Sequence, residues 1–505
     1  MVDHLSVQAG TQIDPPPAHF NMAAYVLGHA DKTPDKTALS ILHGDHTDDL
    51  SYADLSRAIR GIATGLLARG VPAGGRVLMR LGNGVEFPLA YLACIAAGLV
   101  PIPTSAQLTA PEITKMAAEI TPDLVIAGPD IALPDQAIMT LSSRDMMAMR
   151  SLPPAAFAMG DPNRLAYIIY TSGTSGQPRA VMHAHRAIWA RRMMYDGWYG
   201  LRAQDRLLHA GAFNWTYTLG TGLMDPWAMG ATALIPAPNT ASSALPALLA
   251  RHRASLFAAA PGVYRQALRA PIPDLPDLRH GLSAGEKLPA ALSAEWQAAT
   301  GTQIFEAFGM SECSTFISGA PNRVAPAGTL GYAQSGRTIA VLGADGAPVP
   351  RGTAGVLGVH RDDCGLMLGY FGQADETASR YAGDYFMTGD QVSMAEDGAI
   401  TYLGRDDDMM NAGGFRVSPL EVESAMIRHS AITECAAVEL TVKANTTAIC
   451  LYYTADAPLA EADLAAFAAQ SLARYKQPRR FIHIASLPKN ANGKILRKGL
   501  RTATS

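Results

Sequence analysis

Short apolar runs alternate with helix-like segments along most of this chain, and this alternation limits the folds that it can adopt. Strands alternating with helices are typical of βαβ units, so the sequence predicts an α/β fold with largely parallel sheets covered by helices. The strand-like segments are residues 76–81, 99–103, 123–128, 231–235 and 255–259, and the helix-like segments are residues 86–97 and 245–253.

The length of the chain predicts more than one domain, because 505 residues are too many for a single hydrophobic core. Apolar residues make up 48% of the chain and charged residues 17%, which fits a globular protein with a large interior. The net charge is −3 and no basic block stands out, so nucleic acid is not an expected partner. The five cysteines are scattered without a Cys-x-x-Cys pair, which favours reduced thiols in the cytoplasm over a disulfide framework or a structural zinc site.

Neither a leader nor a membrane span is predicted. Residues 1–17 are polar and proline-rich and lack the basic and apolar regions of a signal peptide. The longest apolar stretch, residues 87–103, contains Gly98 and Pro101 and is better explained as a buried helix followed by a strand.

A glycine- and hydroxyl-rich loop follows a strand-like run at residues 166–170. Glycines let a backbone approach an anion closely, and amides and hydroxyls supply hydrogen-bond donors, so this loop can bind phosphate. An ordinary surface loop is the alternative, since the Gly-x-x-x-x-Gly-Lys-Ser/Thr spacing of the common nucleotide-triphosphate loop is missing. Arg179 adds a positive charge just beyond the loop, whose residues are Thr171, Ser172, Gly173, Thr174, Ser175 and Gly176.

The character of the chain changes near residue 404. Residues 404–416 are acidic and then glycine-rich, and no core element is expected in them. Helix-like segments at 419–429 and 461–472 and strand-like segments at 434–440 and 448–454 follow. Composition alone leaves open whether residues 404–416 are a loop inside one domain or a linker to a small α+β domain.

Residues 170–179, Tyr-Thr-Ser-Gly-Thr-Ser-Gly-x-Pro-Arg, resemble the signature of the adenylate-forming enzymes, which are acyl-CoA synthetases, luciferases and peptide-synthetase adenylation domains. That family usually has Lys and Gly where this chain has Arg179 and Ala180, but arginine keeps the positive charge. Further segments resemble the same family in the expected order, at residues 282–289, 305–312, 385–390, 404–421 and 487–495.

The resemblance implies a nucleotide site for ATP and Mg²⁺. The phosphate loop, with Arg179, would hold the pyrophosphate end, and Glu312 would ligate Mg²⁺ as a hard oxygen ligand. Asp390 would hold the ribose hydroxyls, with Arg405 near the ribose and phosphate. A surface carboxylate, a turn aspartate and a core aromatic are the alternatives for Glu312, Asp390 and Phe308. The remaining implied nucleotide contacts are Gly285 and Glu286 beside the base, Phe308 stacked on adenine, and Gly309 and Ser311.

The resemblance also implies two domains that take turns at one site. An N-terminal domain, residues 1–406, would bind the nucleotide and the acid, and a mobile C-terminal domain, residues 407–505, would carry the catalytic lysine, Lys494. Asp407 would be the hinge. Gly413 and Gly414 would leave room for the pantetheine thiol of CoA. A solvated lysine and a glycine pair in a mobile turn are the alternatives.

The region after residue 210 is predicted to line the acid site. Amino-acid-activating relatives carry an aspartate there, whereas this chain has Asn214 and Trp215 and no acid before Asp225. A neutral lining argues against an α-amino acid, because its ammonium would be buried unpaired. Glycine at position 309 is interpreted as open space for a longer or aromatic acid. The candidate walls, which plain core packing would also explain, are Phe213, Trp215, Tyr217, Gly309 and Met310.

These features together predict an ATP-dependent carboxylate–CoA ligase, most similar to medium-chain fatty-acid and benzoate-type acyl-CoA synthetases. Its partners would be a small carboxylic acid, ATP and CoA, and it would be a monomer or a homodimer. Two alternatives remain: a ligase that loads the acyl group onto a carrier-protein thiol, and a non-catalytic protein that binds acyl-adenylate.

Overall fold

The protein forms two compact units in this computed structural model, which describes residues 4–10, 13–171, 178–412, 415–443, 446–489 and 495–502. The larger unit comprises Ala9–Thr338 and His360–Tyr381. The smaller unit comprises Met1–Gln8, Ile339–Val359 and Ala382–Ser505.

A nine-stranded sheet forms the centre of the larger unit. Its six inner strands are parallel, and the outer strands pair antiparallel. Inner strands such as Leu256–Ala259 are buried along their whole length, which explains why they appear in the sequence as unbroken apolar runs. In spatial order the strands are Tyr332–Ala333, Ser314–Ser318, Ile304–Met310, His280–Ala284, Leu256–Ala259, Arg206–Ala210, Thr232–Pro236, Thr37–Leu42 and Thr47–Ser51.

Two smaller sheets complete the strands of the larger unit. One is parallel throughout and contains, in order, Val100–Pro103, Arg76–Arg80, Leu124–Ala127 and Thr140–Ser142. The other is antiparallel and contains Gly369–Tyr370, Arg179–Ala184 and Leu165–Thr171. The phosphate loop therefore joins two strands of a hairpin, whereas the strands predicted from the alternating pattern are parallel.

Helices cover these sheets. Tyr52–Ala68 begins at Ser51, whose hydroxyl accepts from the Asp54 N–H, and it buries a stripe of residues at helical spacing. Glu86–Ala96 is buried on nearly every side, which accounts for the long apolar stretch in the sequence. The other α-helices are Met22–Val26, Ala110–Ile120, Ser143–Ala148, Ala187–Ala190, Arg192–Met194, Asp225–Met229, Leu245–Arg251, Pro261–Ala267, Ala290–Thr300 and Ala374–Ser379, with short 3-10 turns at Met149–Ser151 and Ser242–Ala244 and π-helical segments at Tyr195–Tyr199 and Thr218–Met224.

Among the described residues, none of the helices has the length and apolar character needed to cross a bilayer.

A six-stranded sheet lies in the first part of the smaller unit. Its strand Tyr385–Met394 pairs antiparallel with Ile400–Arg405, so that Asp390 lies opposite Arg405. The other strands are Val7–Gln8, Ile339–Leu342, Ala354–His360 and Tyr381–Ala382.

The rest of the smaller unit is an α+β arrangement, and it corrects one expectation. Residues 404–416 do contain core structure, because Met410 is fully buried beside Val417 and Val422. The error arose because Met410 is a single apolar residue between acidic and glycine-rich stretches. The elements are the strands Met410–Ala412, Phe415–Val417, Glu434–Lys443, Thr446–Thr454 and Arg480–His483, the α-helices Pro419–Met426, Glu461–Ser471 and Arg497–Thr502, and the 3-10 turns Asp406–Asp408 and Arg474–Lys476.

Candidate active site

The carboxyl ends of the parallel strands in the larger unit bring several predicted site residues together. Gly285 and Glu286 follow the strand His280–Ala284, and Phe308 lies on the adjacent parallel strand. Gly285 has a φ of +96°, and a Cβ built on it would lie 2.4 Å from Cζ2 of Trp215. Only glycine permits this backbone conformation together with such close contact, so the base-side and acyl-side residues meet here.

Trp215 and Tyr217 form an aromatic pair at this edge of the sheet. Their rings meet edge to face with centroids 5.1 Å apart, and the Tyr217 hydroxyl donates to the Leu282 carbonyl. Phe213 is different, because it lies in the main hydrophobic core and stacks on Phe87. Of the predicted acyl walls, Trp215 therefore lies against Gly285 and Tyr217 packs on Trp215, while Phe213 packs as a core residue.

The reason given from sequence for Gly309 needs correction. The strand pair shifts register between Phe308 and Gly309, and a Cβ on Gly309 would lie 2.1 Å from the Ser314 carbonyl oxygen. The neighbouring strand fills the space that a side chain would need. Glycine is therefore required by close approach of two backbones, and not by an opening for the acid. Met310, the other predicted wall on this strand, is partly exposed and pairs with Ser314.

Arg179 and Glu312 are linked through an aromatic ring, in what we call the Arg179 cluster: Arg179, Glu312, Tyr370 and Glu376. The Arg179 guanidinium lies 5.3 Å from the centroid of Tyr370 and forms a 2.7 Å ion pair with Glu376. The Tyr370 hydroxyl donates to Glu312 Oε1 at 2.7 Å. Burial, with the neighbouring Glu312 carboxylate, raises the pKa of Tyr370 well above its usual range, so the phenol keeps its proton.

Much of the predicted phosphate and lysine machinery lies outside the described residues. Thr171 is the last described residue before the gap, and it pairs with Arg179 across the hairpin. Ser311 lies just before Glu312, and its carbonyl accepts from His183. The predicted residues outside the described ranges are Ser172, Gly173, Thr174, Ser175, Gly176, Gly413, Gly414 and Lys494.

In the smaller unit, the predicted ribose residues form one hydrogen-bonded group. Arg405 Nη1 lies 3.3 Å from both carboxylate oxygens of Asp390 and donates to the Thr388 carbonyl at 3.1 Å. The Tyr402 hydroxyl donates to Asp390 Oδ1 at 3.2 Å. Burial, with the adjacent Asp390, raises the pKa of Tyr402 well above its usual range. Cross-strand pairing thus fixes the carboxylate that was predicted to hold the ribose.

Asp407 lies in the 3-10 turn Asp406–Asp408, between a strand of the six-stranded sheet and Met410–Ala412. The next residue, Asp408, pairs with Arg501 at 3.0 Å and with Arg497 at 3.7 Å. Arg497 in turn binds Glu423, because its Nη2 donates hydrogen bonds to both carboxylate oxygens of Glu423. Charged groups next to the predicted hinge are therefore tied to the helix Arg497–Thr502.

The sequence reasoning missed several residues of these groups. Tyr370 and Glu376 complete the Arg179 cluster, and Tyr402 completes the Asp390 group. Arg191 and Asp225 form a buried ion pair, with Nη2 to Oδ2 at 2.6 Å. Tyr402 lies on the strand that pairs with that of Asp390 and reaches the Asp390 carboxylate through its hydroxyl, but no alternating pattern in Ile400–Arg405 marks it in the sequence. No sequence pattern links Arg191 to Asp225.

Gly285, Glu286 and Phe308 at adjacent parallel strands, with the Arg179 cluster in the same unit, fit the predicted class of adenylate-forming enzymes. The sequence profile of the AMP-binding enzyme family matches residues 27–371, and that of the AMP-binding enzyme C-terminal domain matches residues 421–494. The chain belongs to the AMP-binding enzyme family. The predicted resemblance is confirmed, as is an α/β fold with a large N-terminal and a small C-terminal domain.

Relatives match over nearly the whole chain. The human mitochondrial acyl-coenzyme A synthetase ACSM2A is 29% identical, with 96% of this chain and 91% of that protein covered. The 4-hydroxybenzoate–CoA/benzoate–CoA ligase of Rhodopseudomonas palustris is 30% identical, with 91% and 90% covered. Among solved structures, the anthranilate CoA ligase AuaEII in complex with anthranoyl-AMP is 26% identical, with a TM-score of 0.86 and 97% and 98% covered.

Proposed function

We propose that this chain is an ATP-dependent carboxylate–CoA ligase that acts on aromatic or medium-chain acids. It is an AMP-forming acid–thiol ligase. The acid carboxylate attacks the α-phosphate of ATP, an acyl-adenylate forms and pyrophosphate leaves. The CoA thiol then attacks the mixed anhydride, giving a thioester and AMP. The observation that carries this proposal is the match of both family profiles, in order, to one chain.

The first step needs cations and oriented donors more than a protein nucleophile, because a carboxylate approaches an already anionic phosphorus. Arg179, which lies over Tyr370 next to the predicted phosphate loop, would supply positive charge for the departing pyrophosphate when the phosphate displaces its ion-pair partner Glu376. Thr171 and the loop that follows it would add hydroxyl and amide donors.

Glu312 fits the role of a Mg²⁺ ligand. Tyr370 occupies Oε1, and Oε2 has no hydrogen-bond partner in the described part of the chain. A carboxylate oriented by a phenol, with one oxygen left over, suits a hard cation that prefers oxygen. When bound, Mg²⁺ would neutralise charge on the β- and γ-phosphates.

Lys494 and Asp407 are proposed to separate the two steps. The Lys494 ammonium would contact the carboxylate and α-phosphate oxygens during adenylation. Rotation at Asp407 would withdraw it and bring Gly413 and Gly414 to the site, where the pantetheine thiol arrives. The ion pairs of Asp408 with Arg497 and Arg501 support this proposal, because they join the turn that holds Asp407 to the helix beyond Lys494.

The acid is proposed to be uncharged apart from its carboxylate. The Trp215–Tyr217 pair supplies aromatic walls, and Asp225 cannot pair with a substrate ammonium because Arg191 already occupies it. Relatives named as benzoate, 4-hydroxybenzoate and anthranilate CoA ligases favour an aromatic acid. The medium-chain class rests on the resemblance of the sequence.

The test is release of pyrophosphate from ATP and Mg²⁺ over a panel of straight-chain, branched and aromatic acids, with and without CoA. We expect AMP and an acyl-CoA thioester for at least one aromatic or medium-chain acid. If a thioester forms only on a carrier protein and not on CoA, the carrier-protein thiol is the acceptor in place of CoA. Absence of AMP with every acid would contradict the proposed function and leave the non-catalytic alternative.

A further inference from the structure

Next to the Trp215–Tyr217 pair, the larger unit contains a small, partly open cavity with room for a group about the size of one water molecule. Thr216, which lies between these two aromatic residues, lines the cavity, and so does Ser311, the residue before Glu312. Ile169 brings the strand that enters the phosphate loop to the same space. If the acid carboxylate reacts beside Glu312, as the proposed function requires, a small group at the remote end of the acid, about the size of a hydroxyl, can enter this cavity.

His183 gives the cavity a hydrogen-bond acceptor. The side chain is buried, and its Nε2 lies 2.7 Å from the Ser311 carbonyl oxygen. A carbonyl only accepts, so Nε2 carries the proton and Nδ1 presents a lone pair. Burial lowers the pKa of His183 to about 4, which keeps the ring neutral near pH 7. Nδ1 is buried and has no hydrogen-bond partner in the described part of the chain.

Arg191 and Ser314 give the same cavity hydrogen-bond donors. Arg191 Nη1 donates to Ser314 Oγ, while Nε and Nη2 bind the two oxygens of Asp225 at 2.8 and 2.6 Å. A guanidinium has two N–H groups on each terminal nitrogen. One N–H of Nη1 therefore has no partner among the residues that the structure describes, and the Ser314 hydroxyl keeps its own proton.

The charge of this end of the cavity is already balanced. Asp225 is fully buried against Arg191, and the Tyr199 hydroxyl donates to Asp225 Oδ2 at 2.7 Å. A second carboxylate or an ammonium on the substrate would be buried without an opposite charge. The cavity therefore suits a neutral group that both donates and accepts a hydrogen bond.

We propose that the preferred acids carry a hydroxyl group on the part of the molecule remote from the carboxylate. That hydroxyl donates to His183 Nδ1 and accepts from Arg191 Nη1 or the Ser314 hydroxyl. A site that buries unpaired polar atoms discriminates against a ligand that leaves them unpaired, so a methyl group in place of the hydroxyl is disfavoured.

The experiment compares kcat/KM for AMP formation between acids that differ only by hydroxyl against methyl: 3- and 4-hydroxybenzoate against 3- and 4-methylbenzoate, and 6-hydroxyhexanoate against heptanoate. We expect a ratio in favour of hydroxyl of about tenfold or more for at least one pair. His183→Gln keeps a donor for the Ser311 carbonyl but removes the ring acceptor, and it should bring that ratio close to one.

His280→Gln is the matched control, because His280 is also buried with its Nε2 on a backbone carbonyl, that of Tyr199, at 2.7 Å, but it does not line the cavity. It should leave the hydroxyl-to-methyl ratio unchanged. If the acids are turned over but the hydroxyl-to-methyl ratio of kcat/KM is near or below one for every pair, the inference is wrong, whereas the proposed ligase activity is supported. An unchanged ratio in His183→Gln would remove His183 as its cause. If no acid gives AMP, that result would instead contradict the proposed function itself.

Discussion

One ion pair of the larger unit and one of the smaller unit lie at different depths. In the larger unit, the side chains of Arg337 and Asp363 are 0% and 1% exposed. In the smaller unit, the side chain of Asp408 is 21% exposed and that of Arg501 is 30% exposed. A pair that water cannot reach is costly to break, whereas a half-exposed pair exchanges readily for water. The region around Arg337 and Asp363 therefore has the electrostatics of a fixed frame, whereas the Asp408–Arg501 pair beside the predicted hinge is weak enough to exchange.

The largest effect on stability should come from breaking the deepest pair of the frame. Asp363→Ala leaves the Arg337 guanidinium buried without a counter-charge, so the larger unit should lose about 3–5 kcal/mol of its free energy of unfolding. Tryptophan fluorescence during urea unfolding reports on this unit, because all five tryptophans lie in it, at positions 189, 198, 215, 227 and 296. Asp277→Ala, which breaks the exposed pair with Arg253, is the control and should cost less than about 1 kcal/mol. Equal losses would mean that depth does not separate the two kinds of pair.

The largest effect on catalysis should come from the smaller unit. Lys494→Ala should lower the rate of adenylation about 10²–10³-fold, because one oriented charge on the reacting oxygens is lost. Thioester formation from preformed acyl-adenylate should be largely retained. Lys489→Ala removes a nearby lysine that pairs with Glu434 and should keep both rates. Stopped-flow assays of the two half-reactions separate these outcomes, and equal loss of both steps in Lys494→Ala would refute its assigned role.

A partly buried carboxylate of the larger unit, Glu306, which forms no ion pair with the described residues, provides a further test. Burial raises the pKa of Glu306 from 4.5 to about 7, and its Oε1 accepts from the Leu288 N–H. Between these two pH values the folded state holds a proton that the unfolded state has lost, so stability falls as the pH rises. Glu306→Gln keeps the acceptor and cannot ionise. It should gain up to about 3 kcal/mol over the native protein at pH 8 and almost nothing at pH 4.

Thermal unfolding at both pH values measures this difference. Glu295→Gln, on the helix Ala290–Thr300, is the control at an exposed glutamate. A gain for Glu306→Gln that is the same at both pH values would show that ionisation of Glu306 is not its cause.

The smallest effect should come from the half-exposed pairs near the predicted hinge. Asp408→Asn weakens the contacts with Arg497 and Arg501 and should cost about 1 kcal/mol or less in stability. If these contacts couple the turn to the helix beyond Lys494, the rates of the two half-reactions should change by different factors. Glu434→Gln, at an exposed pair in the same unit, should change neither. A stability loss as large as that of Asp363→Ala would abolish the contrast between the units.

The sequence alone predicted those parts of the fold whose causes are local. Buried parallel strands must be apolar on both faces, so segments such as Arg76–Arg80 and Leu256–Ala259 were recognisable from a few residues. The family motifs likewise named Glu312, Asp390 and Arg405, because a short run of residue types suffices to identify them.

Gly309 shows the limit of such reasoning, since a glycine in a motif does not reveal what occupies the space beside it. Met410 shows the same limit for burial, because one apolar residue in an acidic stretch gives no periodic signal. Both answers depend on which backbone or side chain from another segment lies next to the residue.

What the sequence determined by itself is the family, the α/β fold class and several buried strands and helices, and it named the residue types that the proposed chemistry needs. Only the tertiary structure decided that Tyr370 joins Arg179 to Glu312, that Asp225 neutralises Arg191, and that His183 lines a cavity with its Nδ1 unpartnered among the described residues. Charged residues look alike in a sequence whether they are solvated or sealed in a core. Packing between segments far apart in the chain decides whether a charged residue is solvated or buried. The same packing also sets the strength of each interaction that the residue makes.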